Sequence, residues 1–135
     1  MSSRIVIEVV TPEKQVFFDT VDEVSLPAQK GYLTVLPGHT PALVALGTGI
    51  LVARDNGANR EERLVVSGGV AEIGENRVIL LADIARRAGD ISAAAAKSDL
   101  AAGESLMLKG DTKEVNAGRR QVALATASLE VSSSK

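Results

Sequence analysis

The sequence predicts an α+β chain. An amino-terminal antiparallel β-sandwich or flattened barrel occupies residues 1–88, and an antiparallel two-helix hairpin occupies residues 89–135. Three observations carry this reading. Short runs rich in Val and Ile recur about every 8–12 residues in the first region, divided by turn signals and with no helical period between them. All four prolines fall within the first 41 residues, whereas the chain turns alanine-rich from Ser92 onward. The second region also carries cap and stop residues at helical spacing.

The strands follow in order. Ile5 to Val10 is rich in β-branched residues, and Thr11-Pro12-Glu13 ends it. Val16 to Phe18 and Val21 to Leu26 come next, the latter closed by Pro27. Tyr32 to Leu36 and Leu43 to Leu46 alternate apolar with smaller or polar residues, the period of a half-buried strand. Ile50 to Arg54 and Arg63 to Val66 flank Asp55-Asn56-Gly57, a strong hairpin signal. Ser67-Gly68-Gly69 interrupts the run before Val70 to Ile73, as a bulge or a close backbone approach would. No helix follows these glycines, so they do not form a phosphate cradle. Gly74-Glu75-Asn76 then turns the chain into Arg77 to Leu81.

Asp90 is placed to cap a helix from Ile91 to about Leu108. Lys109-Gly110-Asp111 supplies a stop and a restart, with Gly110 suited to the left-handed position after a helix. Asp111 and Glu114 have the spacing of a capping box. A second helix follows from Thr112 to about Val131, with Ser132 to Lys135 as a frayed tail. The first helix offers Ile91, Ala94, Ala95, Ser98, Ala101, Ala102 and Ser105 as its contact face; the second offers Val115, Val122, Ala125 and Leu129. Such faces bury little, and Gly103 and Gly118 each cost about 1 kcal/mol relative to Ala. The hairpin is therefore expected to be the less stable part.

Composition excludes several functions. Aromatic content is 2% and the net charge is −2, leaving neither a stacking platform nor a basic field, so nucleic-acid binding is not expected. There is no Cys and one His, which removes disulfides and thiolate chemistry and leaves little for a metal site. No apolar run approaches the roughly 20 residues of a membrane span. Met1 to Arg4 lead into a strand pattern rather than a signal peptide, so direct membrane insertion is not expected.

The stretch from Lys30 to Gly49 holds the sole Tyr (Tyr32), the sole His (His39) and two of the prolines. Leu36-Pro37-Gly38-His39-Thr40-Pro41 cannot pair as a central strand, because two prolines lack donors and Gly38 admits angles closed to other residues. It reads as a rigid exposed connector, a place where binding residues are found. His39 either shapes this turn or contacts a partner; catalysis would need a nucleophile or an orienting carboxylate nearby. Arg86-Arg87 reads as a solvated pair, with a phosphate or acidic-partner clamp as the alternative.

This stretch resembles the epsilon subunit of the bacterial rotary ATP synthase, whose β-domain carries a similar E-G-x-x-G-x-L-P-G-H-x-P-L-L run. Gly31 and Leu36 to Leu43 match it, while Thr34 replaces a usual Gly and Lys30 a common acidic residue. Val9 to Glu13, Val66 to Ala71 and Leu80 to Ala85 are further marks in the same order, so the resemblance covers nearly the whole chain.

The resemblance implies a non-catalytic central-stalk subunit that couples ion-driven rotation to ATP synthesis, peripheral on the cytoplasmic face of the bacterial inner membrane. The partners implied are the gamma subunit and the c-ring, met by the sandwich through Thr11, Pro12, Gly31, Tyr32, Leu36, Pro37, Gly38, His39, Thr40 and Pro41. It further implies that the hairpin acts as a brake on ATP hydrolysis by meeting the alpha/beta catalytic head, with Lys113, Arg119 and Arg120 as the basic contacts. Family members carry I/L-D-x-x-R-A for regulatory ATP; Ser92 and Ala95 replace its Asp and Arg, so ATP binding is expected to be weak or absent, with no other cofactor. The competing reading is a stand-alone β-barrel ligand binder or adaptor, which would need convergent polar groups in a pocket.

Overall fold

A computed structural model describes residues 4–109 and 111–133. The strands are β1 (Ile5–Val10), β2 (Gln15–Val21), β3 (Glu23–Ala28), β4 (Gly31–Val35), β5 (Ala42–Ala45), β6 (Thr48–Asp55), β7 (Arg60–Ile73) and β8 (Arg77–Arg87). A 3-10 turn (Ala88–Asp90) leads to α1 (Ala93–Lys109) and α2 (Thr112–Ser133). β7 and β8 are long enough to serve two layers. β2, β1, the first half of β8, the second half of β7 and β5 make one layer. The second half of β8, the first half of β7, β6, β3 and β4 make the other. Ile5, Ile7 and Leu80 from the first layer meet Leu26, Leu51 and Leu64 from the second in one fully buried cluster.

The double glycine makes this possible. β7 runs unbroken through Ser67-Gly68-Gly69, with Gly68 at φ +71° and Gly69 at φ +98°. A Cβ on Gly69 would run into the carbonyl oxygen of Leu81. Opposite this point β5 and β6 are split at Leu46-Gly47, and the corner is pinned by Leu46 N–H to Gly69 O (2.9 Å) and Gly68 N–H to Gly47 O (3.2 Å). Strands that bend this way pass from one sheet of a sandwich to the other.

Two local expectations change. β1 and β8 pair in parallel, not antiparallel, because no hairpin joins them and the whole sandwich separates them in sequence. β3 continues through Pro27 because its ladder with β6 ends at Ser25, leaving a place where a missing donor costs little. The hairpin at Asp55 forms as expected, with Asn59 (φ +50°) as its left-handed residue.

The hairpin also departs from its sequence reading. Ser92, not Asp90, caps α1, its Oγ accepting from the Ala95 N–H at 3.2 Å; Asp90 instead accepts from the Arg87 N–H. Asp111 caps α2 by accepting from the Glu114 N–H at 2.9 Å. The readings of Gly110 and of Ser134 and Lys135 lie outside the described residues.

In α1, Ala94, Ala95, Ser98, Ala101 and Ala102 are exposed, whereas Ala96 and Gly103 are buried and Leu100 and Leu106 half-buried. A helix so rich in alanine has several nearly equivalent faces, and composition cannot choose among them. The glycines choose. A Cβ on Gly118 would lie 2.6 Å from the Gly103 carbonyl oxygen, so the two backbones meet here. Their helix-propensity cost is thus what allows the close approach of α1 and α2.

α2 has a second apolar face on the sandwich. Leu124, Ala127 and Val131 pack on Val52, Ile50 and Val65 of β6 and β7, together with Ala88 and Ile91. Within this contact Arg86 donates from Nη1 to the fully buried Ser128 hydroxyl (3.3 Å). Arg87 pairs with Glu62 at 3.5 Å and lies over the Phe17 ring. Neither arginine is a freely solvated charge: one ties the hairpin down and the other closes the sandwich edge.

Candidate partner-binding site

Among the described residues, no element covers the outer sheet face of the first layer. Register fixes its composition. One row across the strands reads Val10, Leu81, Val70 and Ala45; the next reads Phe18, Glu8, Ile79, Glu72 and Leu43. All alternate with buried neighbours (Val9, Leu80, Ala71), so all point away from the core. Leu43 is 72% exposed, Phe18 59% and Leu81 50%. The hairpin covers the opposite layer and leaves this one bare. Large contiguous apolar surface of this kind marks an interaction site.

The sequence reading missed this face, although a signal was present. Ile5 to Val10 carries one polar residue in six, and Val78 to Leu81 carries none. A strand apolar at consecutive positions is one buried on both sides. Among the described residues no second element covers the outer side, which leaves it open to a partner.

The expected contact residues fall around this face unevenly. Leu36 to Pro41 crosses the end of the sandwich from β4 to β5. Gly38, at φ +84°, donates its N–H to Glu75 O (2.6 Å) and reaches Asn76 Oδ1 (3.2 Å), so the loop is tied to the β7–β8 turn. His39 N–H closes a turn onto Leu36 O (3.2 Å), and its Nδ1 lies 2.6 Å from Thr40 O. A carbonyl only accepts, so Nδ1 carries the proton and Nε2 is the remaining ring nitrogen. Leu36, Thr40 and Pro41 are exposed and Pro37 is half-buried.

Thr11 and Pro12 stand at the other end of β1, with Thr11 locked in a turn by Lys14 and Pro12 exposed beside Val10 and Leu81. The length of β1 separates them from the loop, about 17 Å for five residues. Gly31 and Tyr32 are elsewhere. They lie on β4, the edge strand of the second layer, where the Tyr32 hydroxyl accepts from the Ile50 N–H at 2.9 Å. The structure therefore brings the loop and Thr11-Pro12 to opposite ends of one bare face and leaves Gly31-Tyr32 on the other layer.

On the hairpin, Lys113, Arg119 and Arg120 are all exposed on α2. The Ser92 hydroxyl is engaged as a cap, and Ala95 offers only a methyl. A concavity of about 720 Å³ opens between β7, the end of β8 and α2. Four of its charged side chains pair with one another, Arg63 to Glu61 at 3.1 Å and Arg87 to Glu62 at 3.5 Å, and Asp90 accepts from the Arg87 N–H. Among the described residues, no group of three or more His, Cys, Asp or Glu is placed to hold a metal ion.

An ion-pair network stiffens the far end of the sandwich. Arg4 reaches Asp55 at 2.8 Å and Asp22 at 3.5 Å, while Arg60 reaches Asp19 at 2.7 Å and Asp55 at 3.3 Å. The Arg4 hydrogen bond, helped by the Ala58 N–H and the charges of Arg4 and Arg60, outweighs desolvation and holds the Asp55 carboxyl below its ordinary value. Hydrogen bonds from Arg63 and Arg54 lower Glu61 likewise.

Comparison with known proteins finds a family for the sandwich. Residues 4–88 match the family described as ATP synthase, Delta/Epsilon chain, beta-sandwich domain. The ATP synthase epsilon chain of Granulibacter bethesdensis is 41% identical over 111 residues, covering 82% of each chain. That of Solibacter usitatus is 43% identical over 100 residues, covering 74% of this chain and 73% of its own. The Janthinobacterium protein of the same name is 32% identical over 130 residues, covering 96% and 93%. Among solved structures, a chain of the Euglena gracilis mitochondrial ATP synthase (OSCP/F1/c-ring) superposes with a TM-score of 0.81. It covers 96% of this chain and 81% of that one; its 19% identity speaks to the fold alone.

Proposed function

The chain belongs to the delta/epsilon family of ATP synthase subunits, and from that premise we propose how it works as a non-catalytic rotor subunit of the F-type enzyme. Its complex is membrane-associated; among the described residues no helix is long and apolar enough to cross a membrane. The subunit sits peripherally, on the cytoplasmic face of the bacterial inner membrane. The gamma subunit covers the bare sheet face, and the c-ring meets the end of the sandwich at Leu36 to Pro41.

The observation that carries this reading is the unequal covering of the two layers. A stable partner needs apolar area and good complementarity, and the Val10–Leu81–Val70 face supplies the area on a rigid two-layer base. The loop suits a load-bearing contact for a different reason. Its prolines and its hydrogen bonds to Glu75 and Asn76 leave it few ways to yield. Gel filtration of the purified chain with the gamma subunit tests the reading: one complex is expected, and separate elution would count against it.

The hairpin serves as the brake through Lys113, Arg119 and Arg120, whose exposure leaves them free to meet an acidic segment of the catalytic head. It binds regulatory ATP weakly or not at all, since the cap at Ser92 and the methyl of Ala95 offer nothing to hold a phosphate. Replacing the three basic residues by Ala touches no packing in the hairpin. ATP hydrolysis by the reconstituted head should then rise; an unchanged rate removes the brake.

A further inference from the structure

Two carboxylates stand in the middle of the bare sheet face. Glu8 on β1 and Glu72 on β7 lie in one row, each directly opposite Ile79 of the intervening β8. Two strand spacings separate them, about 10 Å. Phe18 and Leu43 continue the row outward on either side. Asp83, exposed at the corner glycines, adds a third acid to the same face, and the one basic residue in register is Arg77 at the rim beside Val6. Glu8 accepts one hydrogen bond, from the Gln15 side chain at 2.6 Å; among the described residues neither carboxylate has an ion-pair partner.

Covering this face removes Glu8 and Glu72 from water together with Ile79. A carboxylate buried without a partner is costly, so whatever covers the face must neutralise both. We propose that the partner carries two basic side chains about 10 Å apart, one each for Glu8 and Glu72, astride an apolar contact on Ile79. This rests on the reading of the face as the gamma-subunit site. The apolar rows supply contact area, and the acid pair sets register, because a shift by one strand places both cations on apolar side chains. A second copy of the chain would lay carboxylates on carboxylates, and an anionic lipid surface would be repelled by three acids.

The test uses the full chain and the gamma subunit, with Kd measured at low and moderate salt. Glu8→Gln and Glu72→Gln are each expected to weaken binding about tenfold or more at low salt and to flatten its salt dependence. Glu72→Lys should weaken it further, while Glu104→Gln on α1 should change nothing. Native affinity in both Gln variants, with loss in Leu81→Asp, would overturn the acid pairing and leave the face standing. Native affinity in all three would remove the face itself. Sedimentation with phosphatidylglycerol vesicles, tighter in the Gln variants than in the native chain, would assign the face to a membrane and also overturn the proposal.

Discussion

The two layers of the sandwich share strands, a core and a corner, yet their outer faces have opposite fates. On the second layer, Ile50 and Val65 point outward and are covered by Ala127 and Val131 of the chain's own hairpin. On the first, Val70, Ile79 and Leu81 point outward, and none of the described residues covers them. A part-buried hydrogen bond from Arg86 to the Ser128 hydroxyl lies within the covered face. The bare face carries carboxylates amid its apolar residues. A cover that must come off calls for few contacts, whereas a cover that transmits force calls for area and register. On the function proposed above, the covered face belongs to the brake and the bare face to the coupling.

The contrast can be broken with neighbouring residues. Leu80 and Leu81 are adjacent in β8 and face opposite ways, one fully buried and one half exposed. Leu80→Ala should cost about 2–5 kcal/mol in urea denaturation of the isolated chain. Leu81→Ser should stay within about 0.5 kcal/mol, as for an exposed site. A large loss from Leu81→Ser would mean that the face is part of the fold and not reserved for a partner.

Gly118→Ala sharpens the covered side. Helix propensity alone predicts a gain of about 1 kcal/mol. The Cβ would meet the Gly103 carbonyl at 2.6 Å, so the hairpin should instead melt earlier by circular dichroism. A stabilised hairpin would show that the two backbones do not approach so closely.

The smallest effect is acid sensitivity at the ion-pair end. Asp55 and Glu61 have folded values below their unfolded ones. Their contribution is therefore complete above about pH 4, the unfolded carboxylate range, and fades as the pH falls through the lowered folded values. Asp55→Asn should remove part of that acid-dependent slope while leaving stability between pH 6 and 8 flat.

Much of the fold was legible because strand signals are local. The runs at Ile5, Val24, Ile50 and Arg77, the Asp55 turn and the change of period after residue 88 all survive in the structure. The Leu36 to Pro41 connector was legible too, since two prolines and a glycine dictate a turn wherever they occur. The bare face was not read, because the two-sided hydrophobicity of Val78 to Leu81 becomes meaningful only when the register shows which side remains uncovered. The α1 contact face was misplaced for a related reason: alanines on every side leave no stripe to follow.

By itself, then, the sequence determined the elements, their order, the boundary between strand and helix regions, and a family-like loop, all consequences of propensity and turn chemistry within a few residues. Tertiary structure alone decided that Gly68-Gly69 would fold one strand into two layers and that Gly103 would meet Gly118. It also decided that Arg86 would hold Ser128 and that Glu8 and Glu72 would share a row. Each of these joins residues distant in the chain through backbone approach or ladder register, and neither quantity exists until the sheet has closed.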